Sequence, residues 1–147
     1  MHDPDHEATA KALNDARRAA DAMFADDRAS QALGIAIEEV APGQATARMR
    51  VSATMVNGHA IAHGGYIFLL ADTAFAFACN THGPTVAGAA EIVFVKPARE
   101  DDELIAVAQE RVRFGRSGVY DVTVRNASGE VIAEFRGQSR RISVALE

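Results

Sequence analysis

Residues 63–80 read HGGYIFLLADTAFAFACN, and this stretch decides how the chain folds. Its apolar side chains fall on every side of a helix, and a helix that is apolar all round is normally buried. Asp72 stands in the middle of the stretch, with no Lys or Arg nearby in the sequence. Because burying an unpaired carboxylate is costly, such a group usually has a partner, a raised pKa or a chemical role. The sequence therefore predicts a buried central helix that carries an acid two turns after a glycine-rich start.

The segments on either side of this helix predict one more helix and a series of strands. Apolar residues at helical spacing predict an amphipathic helix over about residues 5–30. Alternating apolar residues around the Pro42-Gly43 turn predict a β-hairpin over 35–52, and an irregular loop follows at 55–62. After the helix stop at Gly83-Pro84, the expected strands cover residues 86–96, 104–114, 119–126 and 131–142.

This order of elements places the chain in the α+β class. Consecutive strands joined by short turns predict an antiparallel sheet, here of about six strands curved around the central helix. We expect a single domain over residues 1–147, with an N-terminal helical segment at 1–30 and a core at 34–142. One sheet cannot cover a helix that is apolar on all sides. A second subunit is therefore expected to cover the remaining face.

Composition narrows the class of protein. The chain has 147 residues, 48% of them hydrophobic and 24% charged, as an ordinary globular domain does. Its net charge of −5 does not favour binding to nucleic acid. The apolar run, which Asp72 interrupts, is too short to span a membrane. The single cysteine, Cys79, excludes an internal disulfide and suits a reducing compartment. With an acidic N-terminus unlike a secretory signal, we expect a cytoplasmic protein.

Residues 57–80, NGHAIAHGGYIFLLADTAFAFACN, resemble the signature of hotdog-fold acyl-CoA thioesterases, and within that family the phenylacetic-acid-degradation (PaaI) type. The resemblance continues through 94–97, 118–122 and 135–140, and it covers roughly residues 34–142. It implies a long helix wrapped by an antiparallel sheet, in homodimers that usually assemble into homotetramers with active sites at the dimer interface. It also implies hydrolysis of an acyl-CoA thioester, above all phenylacetyl-CoA or a ring-hydroxylated relative in aromatic catabolism, without a cofactor or metal.

Thioester hydrolysis needs a base or nucleophile and a donor for the developing oxyanion. Asp72 is the candidate for the first role, either as a general base for water or as a nucleophile that forms a mixed anhydride. The backbone N–H groups of Gly64 and Gly65 are candidates for the second, because the first turn of a helix has free donors. The structural alternatives for Asp72 are a solvent-facing acid on a partly exposed helix and a buried acid satisfied by backbone donors. The alternative for the glycine pair is that it only forms a tight helix entry.

Other residues near the helix start are candidates for positioning the substrate. His63 is expected to orient the substrate or polarise its carbonyl, or else to cap the helix. Asn57 is expected to position the attacking water or the acyl carbonyl, or else to serve as a turn residue. Thr73 could bond to Asp72 or to its own helix backbone. His59 reads as a structural loop residue, and a metal site made of the two histidines is not expected because no third ligand is nearby.

The substrate also needs an apolar pocket and positive charge for the phosphates of coenzyme A. Phe68, with Phe75 and Tyr66, is a candidate for the acyl pocket, although aromatic residues in such positions also pack cores. Arg113 and Arg116 flank the expected turn at 115–118, where Gly118 and its neighbours could supply backbone N–H groups. The remaining basic candidates are Lys96, Arg99, Arg140 and Arg141.

Two other functions are alternatives to the thioesterase. An acyl-CoA hydratase or dehydratase on the same fold would call for an Asp–His pair in a different motif, which this chain lacks. A non-catalytic module that binds or senses acyl-CoA is the main alternative. A sensor acting on DNA would need a basic helix-turn-helix segment, and the N-terminal helix is acidic.

Overall fold

The structure, a computed structural model, describes residues 3–142. Nearly all of this range lies in α-helices, strands and tight turns. Two short 3-10 turns occur at Ala53–Met55 and Asn80–His82. The elements in chain order are α1 (Pro4–Asp26), α2 (Arg28–Ala32), β1 (Ala36–Ala41), β2 (Gln44–Arg50), α3 (Gly64–Cys79), β3 (Thr85–Phe94), β4 (Glu103–Phe114), β5 (Ser117–Asn126) and β6 (Val131–Arg141).

The six strands form one antiparallel sheet in the order β1-β2-β4-β5-β6-β3. Helix α3 lies across its concave face, where alternate strand residues such as Ala47, Leu104 and Val122 are fully buried. Gly137 on β6 shows how close the two layers are, since a Cβ there would come within 2.7 Å of the Phe75 ring. The structure confirms the predicted α+β hotdog architecture of a long helix, a wrapped antiparallel sheet and an N-terminal helix.

One side of α3 is not covered by its own sheet. Nine of its 16 residues are buried. Besides Gly64 and Tyr66 in the first turn, the residues that are exposed or only half-buried are Gly65, Phe68, Leu69, Asp72 and Ala76. Their spacing of three and four residues places them on a single face of the helix. We call this the open face. As expected, the sheet of the same chain does not cover the helix on this side; that a second subunit covers it stays a prediction.

The two edges of the sheet differ. Helix α1 lies against β1, with Ala16 and Ala20 buried, and the Arg17 side chain donates to the Glu38 carbonyl at 3.2 Å. At the opposite edge, no strand among residues 3–142 pairs with the outer side of β3. Val93 and Phe94 on this strand are 64% and 52% exposed. One edge is thus covered within the chain and the other is left open.

Two local predictions were wrong. The N-terminal helix is interrupted at Asp27, because its side chain accepts from the backbone N–H of Ser30 at 3.0 Å and so caps a separate helix α2. The β4–β5 turn consists of Gly115 and Arg116 alone, since Phe114 pairs directly with Ser117. No helix within residues 3–142 combines the length and apolarity that crossing a bilayer requires.

Candidate active site

Asp72 lies near the middle of the open face of α3. Its carboxylate has no hydrogen bond or ion pair with any other residue in the described range. Partial burial raises the pKa of Asp72 above its ordinary value, because desolvation disfavours the charged form. A carboxylate that is ionised, unpaired and partly desolvated is a stronger base than a solvated one. The geometry therefore suits the expected role of this acid.

The start of α3 provides one free backbone donor. The imidazole Nδ1 of His63 accepts from the Gly65 N–H at 3.0 Å, so this N–H is occupied by the helix cap. The Gly64 N–H has no acceptor among residues 3–142. Of the two donors expected from the sequence, only Gly64 is free for a ligand. Because Nδ1 of His63 is an acceptor, a neutral ring carries its proton on Nε2 and can donate from there.

A cleft of about 470 Å³ opens beside this helix start. Asn57 lies in its wall, where Oδ1 accepts from the backbone N–H of His59 at 2.9 Å and of Ile61 at 3.4 Å. Those bonds hold the preceding loop, and the Asn57 Nδ2 has no partner among the described residues. The cleft therefore combines an amide donor with the Gly64 N–H in apolar surroundings. Its lining consists of Asn57, Ile61, Ala62, Gly64, Ile67, Phe94, Val95, Lys96 and Pro97.

The acid and this cleft do not form one site within a single chain. Asp72 is eight positions after Gly64, which at 1.5 Å per residue is about 12 Å along the helix. Asp72 is not among the residues that line the cleft. Phe68 lies between them on the open face and packs against Phe135, with ring centroids 5.3 Å apart. Phe68 thus stands where a substrate lying along the open face would pass.

Thr73 has a structural contact that the sequence did not predict. Its hydroxyl lies 3.2 Å from the Ser30 hydroxyl, which itself donates to Asp27 at 2.7 Å. Neither expected partner, the Asp72 side chain nor the backbone of α3, bonds to it. Each residue of an α-helix is rotated by about 100° about the helix axis relative to the one before it, so the side chains of Asp72 and Thr73 point in different directions. Thr73 therefore faces α2 inside the chain, away from the open face.

The residues expected to bind the coenzyme A phosphates lie at the other end of α3. Arg113 and Arg116 line a small pocket of about 30 Å³ beside Cys79. The Arg113 Nε is 3.1 Å from the Glu110 carboxylate, so part of its charge is already paired. Gly118 lies buried within β5, where a Cβ would come within 2.8 Å of the Ser139 Oγ. Close packing against Ser139 explains why this position is a glycine, and the residue does not belong to a turn that offers N–H groups.

A polar cluster beside this pocket was missed by the sequence analysis. Glu110 Oε1 accepts from the Tyr120 hydroxyl at 3.0 Å and lies 2.8 Å from His82 Nε2. Burial, followed by the bond to Glu110, raises the pKa of Tyr120 well above its ordinary value. Glu110 stands two residues after Ala108 and Tyr120 two residues before Val122, both of which are fully buried, so strand alternation was the signal that could have placed this cluster on the inner face.

Phe94 is a second residue whose position the sequence did not predict. It ends β3, and its ring lies against Gly64, so a Cβ there would come within 2.8 Å of the Phe94 Cζ. The sequence offered one signal, an aromatic residue at the start of the motif at 94–97.

Across residues 3–142, no three His, Cys, Asp or Glu side chains converge as metal ligands.

Comparisons with known proteins identify the family of this chain. The model of the thioesterase superfamily matches residues 59–133. The acyl-coenzyme A thioesterase PaaI of Escherichia coli K12 is 46% identical over 124 residues, which are 84% of this chain and 89% of that protein.

Solved structures give the same result. The E. coli PaaI protein from the phenylacetic acid degradation operon superimposes with a TM-score of 0.87 at 44% identity, over 89% of this chain and 96% of that one. A mutant of the phenylacetic acid degradation protein PaaI from Thermus thermophilus gives a TM-score of 0.75 at 35% identity, over 77% and 97%. By sequence and by fold, the chain belongs to the thioesterase superfamily.

Proposed function

We propose that this protein is an acyl-CoA thioesterase that hydrolyses phenylacetyl-CoA or its ring-hydroxylated relatives to the free acid and coenzyme A. In this role it would act in the cytoplasm and recover coenzyme A during aromatic catabolism. The substrate class follows the E. coli relative, whose name is that of an acyl-coenzyme A thioesterase. Neither a metal nor a cofactor enters the proposed reaction.

The observation that carries the proposal is that the Asp72 carboxylate is partly buried and has no partner among the described residues. Thioesterase chemistry needs a base in surroundings that exclude bulk water but leave room for a substrate. Asp72 is partly buried, unpaired among the described residues and exposed only on the open face of α3. A structural acid in such a position would be expected to have a partner, because leaving it unpaired only destabilises the fold.

The proposed reaction begins when Asp72 accepts a proton from a water molecule. The water oxygen attacks the thioester carbonyl carbon, and the negative charge that develops on the carbonyl oxygen is stabilised by the Gly64 N–H. The carbon–sulfur bond then breaks, and the proton held by Asp72 passes to the departing thiolate. In this scheme the Asn57 amide positions the water or the acyl carbonyl, and the His63 Nε2–H polarises the carbonyl. Direct attack by Asp72 through a mixed anhydride would use the same groups.

We further propose that two copies of the chain complete each site. Because Gly64 and Asp72 lie about 12 Å apart along one helix, a substrate carbonyl cannot contact both within a single chain. Pairing of two subunits through the open edge of β3 would bring their α3 helices together across their open faces. Asp72 of one subunit would then lie opposite Gly64 of the partner subunit. Homodimers of this kind, assembled further into homotetramers, are the proposed active form.

The phosphates of coenzyme A need positive charge, which the chain as a whole does not supply. Arg113 and Arg116 are the proposed ligands, since both are exposed beside the β4–β5 turn. They lie near the end of α3 that is remote from Gly64. Coenzyme A is long enough for its nucleotide to lie far from its thioester, so this separation is compatible with one bound substrate.

The experiment that tests the proposal measures thiol release from phenylacetyl-, hydroxyphenylacetyl-, benzoyl-, hexanoyl- and palmitoyl-CoA. Wild-type protein is compared with Asp72→Asn and with the matched control Asp101→Asn, which changes an acid that is 68% exposed. Loss of a general base is expected to lower kcat about 100- to 10,000-fold, and the control is expected to retain wild-type turnover. Light scattering of each variant establishes whether it assembles as the wild type does.

The outcomes separate the candidate functions. Asp72-dependent release that favours the arylacetyl thioesters supports the proposal. Undiminished release by Asp72→Asn would remove this residue from the mechanism. Binding of acyl-CoA without release from any member of the panel would instead indicate the non-catalytic binding or sensing module.

A further inference from the structure

Phe94 is a large aromatic residue that its own chain leaves half uncovered. It is the last residue of β3 and pairs with Ala133 of β6, which is fully buried. The side chain of Phe94 is nevertheless 52% exposed, because the strand ends at the rim of the cleft. Its free ring surface therefore faces the space beside α3 instead of the core.

The position of the ring explains why the helix begins with glycine. An ideal Cβ on Gly64 would lie 2.8, 3.2 and 3.4 Å from three carbon atoms of the Phe94 ring. Real Cβ atoms essentially never approach to less than 3.0 Å. The ring is therefore in direct contact with the residue whose N–H is the free donor at the start of α3. An acyl group whose carbonyl binds that donor must lie next to Phe94.

The rest of the cleft is suited to an apolar acyl group. Its wall includes Ile61, Ile67 and Pro97, and the volume of about 470 Å³ lies within the range of small-molecule sites. Lys96, the only charged residue in the lining, is paired with Glu130. Phe94 is the one aromatic side chain among the lining residues. A ring that enters this cleft finds a single aromatic partner.

We propose that Phe94 determines acyl specificity, by packing against the flat ring of an arylacetyl group and favouring it over an aliphatic ring with the same carbon skeleton. This inference rests on the proposed thioesterase function and adds a residue to it. Aromatic pairs interact favourably beyond the area that they bury, by an amount equivalent to about a 2- to 12-fold preference. The preference arises in the acyl cleft, so it changes kcat/KM and leaves the chemistry at Asp72 intact.

The test compares phenylacetyl-CoA with cyclohexylacetyl-CoA, which has the same carbon skeleton without aromaticity. Phe94→Leu keeps an apolar side chain but removes the ring. The matched control is Phe114→Leu, which changes a phenylalanine that is 58% exposed at the end of β4, outside the cleft. We expect Phe94→Leu to lower the ratio of the two kcat/KM values about 2- to 12-fold. The ratio for Phe114→Leu should equal that of the wild type.

Each other outcome overturns the proposal in a distinguishable way. An unchanged ratio of the two kcat/KM values, including one that results from an equal loss of kcat/KM on both substrates, would show that Phe94 does not distinguish an aromatic acyl ring from an aliphatic one. Equal loss accompanied by a smaller assembly in light scattering would assign Phe94 to the subunit interface instead. If wild-type protein hydrolysed neither thioester, the proposed function would fail first, and the inference would fail with it.

Discussion

The contact between Gly137 and Phe75 gives a quantitative test of how the sheet positions α3. In Gly137→Ala, the new Cβ would lie 2.7–2.8 Å from three carbon atoms of the Phe75 ring. Ordinary contacts begin near 3.4 Å, so the ring or the strand must move by about 0.7 Å to reach one. Phe75 is only 1% exposed and is held between Tyr120 and Phe135, with ring centroids 5.6 and 5.8 Å away. The ring has no free space into which it can turn.

Overpacking of this kind costs about 1–3 kcal/mol. For a chain of about this size, each kcal/mol corresponds to about 2–4 °C, so Tm should fall by about 2–12 °C. Because Phe75 lies one turn after Asp72 on α3, we also expect a loss of turnover on phenylacetyl-CoA. Thermal unfolding followed by circular dichroism, at one fixed protein concentration, measures the first effect. Thiol release measures the second.

A second substitution makes the test specific. Phe75→Leu removes the ring atoms that collide with the new Cβ, but by itself leaves a cavity. If the collision is the cause, the double variant should be more stable than the sum of the two single effects predicts, by about 0.5–3 kcal/mol. Additive losses, or an unchanged Tm in Gly137→Ala, would refute the reasoning from this contact.

Three further predictions concern α3. Because burial raises the pKa of Asp72, its ionised form destabilises the fold, and this cost appears only as the pH rises through the raised pKa. The Tm of Asp72→Asn should therefore exceed that of the wild type near pH 8, and the two Tm values should be equal below about pH 4. A lower Tm of the variant near pH 8 would contradict this prediction. Thr73→Val removes the hydrogen bond to Ser30, so its free energy of unfolding should fall by about 0.5–1.5 kcal/mol while kcat/KM stays at the wild-type value. Thr73→Ser should keep both the stability and the kcat/KM of the wild type. A fall in kcat/KM without a loss of stability would instead indicate that Thr73 contacts the substrate. Burial raises the pKa of Cys79 to about 12, so a thiol reagent near pH 8 should label this cysteine only after denaturation, and rapid labelling of native protein would disprove its burial.

Strong local patterns predicted most of the fold. The apolar run at 64–79 predicted α3 to within one residue, and the alternating segments predicted all six strands with ends shifted by about two residues. The break at Asp27 was missed because both sides of it have helical spacing, and only the carboxylate bonds to Ser30 separate them. The pairing irregularity next to Glu110 was missed for a similar reason, since one extra strand residue leaves almost no trace in a short pattern.

The candidate site could be predicted only as a set of residues. Asp72 was recognisable because a lone acid in an apolar helix is costly, and that argument needs no coordinates. The sequence could not reveal that the Gly65 N–H is occupied by His63, since this depends on the orientation of one side chain. Nor could it show that Thr73 faces α2 or that Phe94 contacts Gly64, because residues distant in sequence make both contacts.

The open edge of β3 has a consequence for how this protein is handled and how it evolves. Natural sheets protect exposed edges with lysine, proline or a covering element, and β3, with the sequence TVAGAAEIVF, contains neither residue. Its only charge is Glu91. In the proposed dimer this edge would be paired, and a subunit separated from its partner would present unpaired backbone groups and β-branched side chains to any other extended chain. Dilution, or a mutation that weakens assembly, should then produce aggregates instead of a stable monomer. For the proposed assembly, selection on solubility would act on the pairing of subunits as much as on the fold.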